Sequence, residues 1–428
     1  MERERLGTRL GFILLSAGCA IGIGNVWKFP YMAGQNGGGA FVLIYLFFLL
    51  VLGVPVLTME FALGRAAQKS PVKLYQQLEP KGSKWHIHGY FAMAGNYLLM
   101  MFYTTVSAWM LQYFVDTAAG KFVGLNVEQI GAAFPAMTQN TPAMAFYTIA
   151  TVALATIVCS FSLQGGLERI TKWMMLALLS IMILLAVNSC MLEGAGEGLA
   201  FYLKPDFKKF TEAGVWNVVV AAMNQSFFSL SLGIGSMAIF GSYLKKEHTL
   251  MGEAVNVVCL DTFVAFTAGL IIFPACSAFG VEADSGPGLV FTTLPNIFNN
   301  MAGGRIWGSL FFIFMAFAAL STVFAVFENI VACVRDLTGW ERKKTSLICG
   351  LSLMVLCMPC VLGFTVLSNV TILGLSIMDF EDFLVSSILL PVGSLLFVIF
   401  CTCRYGWGWK NFVAEANEGQ GLKVPSWL

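Results

Sequence analysis

Charge is what this sequence has least of. Only 11% of its 428 residues are Asp, Glu, Lys or Arg, against about 25% in ordinary soluble proteins, which excludes a water-soluble globule of this length. Histidine is scarcer still: His86, His88 and His248 are the whole supply. All three read as polar-loop residues, leaving none at membrane depth for a metal centre or a general base. Neither sign of charge dominates, with 25 basic residues against 24 acidic ones, so no nucleic-acid partner is expected. What is present is apolar: 57% hydrophobic residues, 37 phenylalanines and a mean hydropathy of +0.76. That composition belongs to a polytopic membrane protein.

Eleven cysteines lie mostly inside apolar runs. Cys357-Met-Pro-Cys360 and Cys401-Thr-Cys403 have the look of half a metal or redox site, but a closed site needs four ligands and no second pair or histidine is near. Buried, unpaired thiols are expected, since free Cys packs as a small apolar residue. The apolar stretch from Leu10 carries no A-x-A cleavage pattern and reads as a span rather than a leader.

A span needs about 20 apolar residues, and ten such runs occur, at 10–31, 40–63, 89–115, 143–161, 171–191, 215–244, 254–280, 304–334, 345–367 and 380–403. With the N-terminus cytoplasmic, that side holds every basic residue except Lys28, Lys121, Lys204, Lys208, Lys209 and Arg305. The bias predicts that both ends face the cytoplasm. The polar stretch 406–428 is expected to be a cytoplasmic C-terminal segment.

Two spans resist being continuous helices. The first contains Ala20-Ile-Gly22-Ile-Gly24-Asn25, and the sixth contains Ser229-Leu-Ser231-Leu-Gly-Ile234-Gly-Ser236. Each glycine costs about 1 kcal/mol in a helix relative to alanine. Close packing through small residues is one reading; unwinding beside a cavity is the other. The same Gly-Ile-Gly in spans one and six of ten favours unwinding. Two halves of five spans each, residues 1–195 and 205–405, must then have opposite orientation. Interrupted helices at matching places in inverted repeats point to a transporter site. Half-helix N-termini there suit a carboxylate, and freed carbonyls suit a cation.

Arg9-Leu-Gly-Phe-Ile-Leu14, Gly22-Ile-Gly-Asn25-Val-Trp-Lys28-Phe-Pro-Tyr31 and Gln35-Asn-Gly-Gly-Gly-Ala-Phe41 resemble the opening of the neurotransmitter:sodium symporter family. So do Gly53-Val-Pro55, Glu60-Phe-Ala-Leu-Gly-Arg65 and Phe227-Phe-Ser-Leu-Ser-Leu-Gly-Ile-Gly235. The resemblance runs from about Arg3 to Pro425 and is similar to bacterial amino-acid members. It implies an all-α polytopic fold, an inverted five-plus-five helix repeat with unwound first and sixth helices, in the inner (plasma) membrane.

The resemblance implies two sodium sites. One would use the Ala20 carbonyl, Asn25, Ser229, Asp261 and the substrate's carboxylate, so that sodium and substrate raise each other's affinity equally. The other would use the Gly18, Ile21 and Ala318 carbonyls with the Ser321 and Thr322 hydroxyls; without the family, back-bonds to the preceding turn are the simpler reading of that pair. Asp261 stands where many members have Asn. A fixed carboxylate there is expected to replace chloride, giving chloride-independent transport. The substrate pocket is expected to involve Cys19, Ala20, Gly22, Gly24, Leu99, Tyr103, Phe228, Ser229, Ser231, Ile234, Thr322 and Val326. None is charged, which implies a neutral hydrophobic or aromatic L-amino acid; Ile234, where the leucine-selective prototype has Phe, leaves room that favours large side chains. Lys28 with Asp382 matches the outer gate, and Arg3 with Asp336 the inner latch, although Leu6 replaces the usual Trp. Each pair also reads as ordinary surface charges. Glu60 and Glu328 are expected to bond the unwound backbone. Open alternatives are a proton-coupled permease of the same fold and a non-transporting amino-acid sensor. An enzyme finds no nucleophile–base–orienter set in the sequence.

Overall fold

The computed structural model describes residues 4–212, 214–280 and 288–425, whose regular secondary structure is helical apart from isolated bridge pairs. Among the described residues eight continuous helices have membrane length and composition: Gly39–Ala67, His86–Ala118, Thr141–Ser160, Leu163–Cys190, Leu250–Ala278, Gly304–Thr338, Arg342–Leu362 and Ile377–Thr402. A ninth span is bent by 55° between Arg9–Ala20 and Gly24–Gln35. The sixth of the ten expected spans is divided further, into Val215–Ser229 and Ser236–Gly241, by residues 230–235. Interruption therefore falls on spans one and six, and the chain has the inverted five-plus-five architecture with both unwound. His86 and His88, expected in a loop, form the first turn of span three instead.

Proline leaves a regular mark on these helices. Wide turns, with one residue more than an α-turn, occupy Gly24–Lys28, Leu49–Gly53, Leu289–Thr293 and Leu384–Leu389. Pro30, Pro55, Pro295 and Pro391 each follow two residues after such a turn. A proline ring crowds the carbonyl four residues back and offers no N–H, and an extra residue in the preceding turn relieves the clash. The helices continue beyond, redirected.

In span six, Ser231, Gly233 and Gly235 have φ of +52°, +96° and +71°. The two glycines adopt this region freely, whereas Ser231 is held there against its preference. The loosened backbone is not left unpaired, as a low-dielectric setting requires. Glu60 of span two accepts from the Gly233 N–H at 2.7 Å. Asn96 of span three donates to the Ile234 carbonyl at 2.8 Å and accepts from Ser236 Oγ at 3.0 Å. Gln225 donates to the Gly24 carbonyl at 2.8 Å, so one broken helix braces the other.

Glu328 does not join this work. It accepts from Tyr243 at 2.8 Å and pairs with the guanidinium of Arg342, because span nine begins with that arginine at the same level and its fork fits a carboxylate. Among the described residues no disulfide joins the cysteines; Cys357, Cys360 and Cys401 are buried, whereas Cys259 and Cys403 are exposed and Cys190 partly so.

Candidate substrate and cation site

The two interruptions face each other across a nearly closed space with only about 10 Å³ of water-accessible room. Its polar wall comes from Ala20, Gly22 and Gly24 of span one with Tyr103, Ser231 and Thr322; its apolar wall comes from Leu99, Phe228 and Leu390. Tyr103 Oη accepts from the Ile23 N–H at 2.8 Å, which fixes the ring and leaves its own proton for a second partner. Ser231 Oγ donates to the Cys19 carbonyl at 3.1 Å, joining the breaks edge to edge. No charged side chain lines this space.

Four sequence-expected pocket residues do not line this cavity. Cys19 and Val326 are wholly buried among neighbouring helices, and Ile234 turns its side chain toward Gly95 of span three. Ser229 belongs to a polar cluster instead. Leu390 of span ten lines the cavity although nothing in its apolar surroundings marked it in the sequence.

That polar cluster centres on Asp261, which is fully buried in span seven. Its carboxylate accepts from Asn25 Nδ2 at 2.7 Å and from Ser229 Oγ at 2.5 Å. Tyr45 of span two approaches Ser229 Oγ at 2.8 Å and the carboxylate at 3.5 Å. Asn25 Oδ1 lies 3.5 Å from the Gly22 N–H. Spans one, two, six and seven thus meet at one carboxylate with several hard oxygen atoms around it. Sequence reasoning missed Tyr45; it lies in the second turn of an apolar span, where a tyrosine reads as an ordinary interface anchor.

A second oxygen group lies between spans one and eight. Ser321 Oγ is 3.2 Å from the Ile21 carbonyl and 2.9 Å from that of Ala318. Thr322 Oγ1 is 3.4, 3.3 and 3.4 Å from the carbonyls of Gly18, Cys19 and Ile21. Ordinary O–H···O bonds are shorter, about 2.7–2.8 Å. Oxygens held about 2.4 Å from a hard cation in near-octahedral array would be about 3.4 Å apart, by extension from calcium geometry. The four separations to span one lie near that spacing, whereas the 2.9 Å one is an ordinary back-bond to the preceding turn. Among the described residues no group of three His, Cys, Asp or Glu side chains converges on a metal position, so a cation would be held by carbonyls, hydroxyls and the one carboxylate.

Above the cavity, Phe228 also lines a wider opening with Lys28, Gln225 and Ser386. Lys28 Nζ lies 4.1 Å over the Phe228 ring and 3.2 Å from Asp382, with Ser386 Oγ at 3.3 Å. Phe228 and this pair therefore separate cavity from opening. On the opposite side the chain start is fastened down. The Gly7 and Thr8 N–H groups donate to Glu168 at 2.9 and 3.2 Å, and Glu4 pairs with Arg335 at 3.1 Å and Arg342 at 3.4 Å. Arg3 lies outside the described residues. Asp336 accepts from the Ser70 N–H at 2.7 Å, and Leu6 is buried.

A membrane-spanning helical protein whose two broken helices enclose a cavity and an oxygen-rich cluster is built as a secondary transporter. The sodium:neurotransmitter symporter family model matches residues 3–123 and 117–428, and the chain belongs to that family. It is 38% identical over 412 residues to the uncharacterized sodium-dependent transporter YhdH of Bacillus subtilis (strain 168), covering 96% of this chain and 90% of that protein. It is 27% identical over 382 residues to the sodium- and chloride-dependent GABA transporter 2 of Rattus norvegicus, covering 79% of this chain and 62% of that protein. A crystal structure of MhsT in complex with L-phenylalanine matches with a TM-score of 0.89 and 37% identity, over 98% of this chain and 94% of that one. The chain is a multi-pass, sodium-dependent symporter, not an enzyme.

Proposed function

We propose that the protein takes up a neutral hydrophobic or aromatic L-amino acid with two sodium ions, by alternating access and without chloride. The observation that carries the substrate class is the cavity's division into a polar wall and an uncharged apolar wall. A zwitterion lays its carboxylate toward Gly22, Gly24 and Tyr103, and its side chain against Leu99, Phe228 and Leu390. A charged side chain would be buried there without a partner, at a cost that excludes it. The L-phenylalanine bound to the similar MhsT is in keeping with this choice.

One sodium binds at Asn25, Ser229, Asp261 and the Ala20 carbonyl, sharing the substrate carboxylate. The other binds at the Gly18, Ile21 and Ala318 carbonyls with Ser321 and Thr322, clamping span one to span eight. Asp261 supplies the negative charge that chloride supplies elsewhere. Each sodium moving inward through 100 mV gains ~2.3 kcal/mol. Two give roughly 4.6 kcal/mol, enough for an accumulation above a thousandfold at about 1.4 kcal/mol per decade.

Residues 1–195 and 205–405 form the two repeats, with 406–428 cytoplasmic like the N-terminus, in the plasma membrane. Spans one, two, six and seven rock against the rest. Lys28 and Asp382 gate the outer side; the chain start, with Arg3, Glu4 and Asp336, latches the inner side. Equilibrium binding of radiolabelled L-phenylalanine to the purified protein, with sodium replaced stepwise by choline, tests the coupling. Binding should need sodium, and its half-saturation should fall as sodium rises, with no competition by arginine or glutamate. Equal binding in choline rejects the reading.

A further inference from the structure

The cavity's apolar wall includes a side chain from span ten, the helix that also carries Asp382 of the outer gate. Leu390 is the first residue after the wide turn Leu384–Leu389 and directly precedes Pro391. The proline forces that turn, and the extra residue resets which side chains face span six. Leu390 then lines the cavity and is 1% exposed, while Leu389 packs on the other side, toward Gly95 of span three.

Its position is held by backbone rather than by adjustable side chains. A Cβ placed on Gly233 would lie 2.1 Å from the Leu390 carbonyl oxygen, and one on Gly393 would lie 2.0 Å from the Gly233 carbonyl oxygen. The unwound part of span six and the start of this helix therefore touch main chain to main chain. Glu60 fixes the same Gly233 through its N–H. In this conformation Leu390 cannot recede without displacing the interruption itself, so the cavity's limit there is fixed while the cavity is closed.

From this geometry we infer that Leu390 is a specificity-determining residue, setting the largest amino-acid side chain the cavity admits. The inference rests on the uptake function proposed above. Among the described residues three large apolar side chains face the cavity, and of these Phe228 doubles as the lid and Leu99 belongs to span three. Leu390 is the one whose backbone is braced against span six. A change of a methylene or two in an apolar pocket alters discrimination by roughly 10–200-fold, so truncation here has a measurable consequence.

The test is sodium-driven uptake into proteoliposomes by the full chain and by the series Leu390→Met, Leu390→Val and Leu390→Ala, with L-valine, L-leucine, L-phenylalanine and L-tryptophan in competition. The expected result is a graded change: each shorter side chain raises kcat/KM for tryptophan relative to valine, reaching at least fivefold in Leu390→Ala. The sodium concentration for half-maximal uptake stays within twofold. The volume-conserving Leu390→Met keeps the test alive if Leu390→Ala does not fold, because its unbranched end should already shift the phenylalanine-to-valine ratio. A selectivity order unchanged across every variant that transports overturns the inference. So does a uniform loss for all four substrates, which marks a purely structural role. Wild-type protein that moves none of them under a sodium gradient overturns the uptake function itself, and the inference with it.

Discussion

A carboxylate at membrane depth costs about 2.5–3.5 kcal/mol on insertion scales, and Asp261 meets that cost with donors from Asn25, Ser229 and Tyr45. Replacing it by Asn keeps the shape and removes the charge. Asp261→Asn should raise the sodium concentration for half-maximal uptake at least about tenfold, ~1.4 kcal/mol. Its residual uptake should be stimulated by chloride, as sodium titrations in chloride and in gluconate will show; unchanged curves would disprove the role. The outer pair is a weaker element. Lys28 and Asp382 keep 29% and 39% exposure, and such pairs are worth ~0–1 kcal/mol. Lys28→Ala should therefore change apparent substrate affinity by at most about fivefold while speeding exchange of bound substrate. At this scale the Gly-Ile-Gly motifs and Asp261 were legible because a glycine pair or a carboxylate in an apolar run has few uses. Tyr45 and Leu390 were not. Each is a common residue in an apolar helix, and its partner lies far along the chain, 184 residues away for Tyr45 and Ser229.

Among the elements, the spans were readable to within about four residues at most ends, since lipid demands long apolar runs whatever the tertiary packing. The widest misses are the start of span five (171 against 163) and the end of span nine (367 against 362). Shorter helices carried no such demand and escaped notice: Val127–Gln139, Ala195–Leu203, Leu294–Asn300 and Trp409–Ala416. The first of these did advertise itself, through the capping box of Asn126 and Gln129. The last is docked by Arg65, whose Nε reaches Glu415 at 2.6 Å; so long-range a contact has no signature in local pattern. The interruption in span six gives the sharpest element-scale prediction. Gly233→Ala meets both an unfavourable φ and the Leu390 carbonyl, and should cost about 3 kcal/mol or more. Thermal unfolding in detergent should show a clear fall in midpoint. Gly196→Ala, on a helix with open space around it, should show none. Equal behaviour of the two would mean the close contact with span ten is not present.

For the whole molecule, transport requires that the two sides of the cavity open in turn, and under the proposed orientation charge latches the inner side. Burial disfavours an ionised Glu4, but Arg342, the Leu163 N–H and Arg335 outweigh it and hold its carboxyl below the ordinary glutamate value of 4.5. A carboxyl with a depressed value adds stability that is complete above the ordinary value and is lost only as pH falls through the lower one. The latch should therefore be indifferent to cytoplasmic pH between 6 and 8, whereas Glu4→Gln should open it at every pH. Labelling of a cysteine introduced beneath span one, in a background lacking reactive thiols, reports both. Counting basic residues and spans yields an expected orientation and an expected division into halves; which state the molecule occupies depends on side-chain pairs that no count contains. The most direct measurement is accumulation of radiolabelled L-phenylalanine in proteoliposomes with sodium, proton and chloride gradients imposed one at a time. Concentrative uptake should follow the inward sodium gradient alone and survive replacement of chloride by gluconate. Uptake driven by a proton gradient without sodium, or none under any gradient, would contradict a sodium-coupled amino-acid symporter.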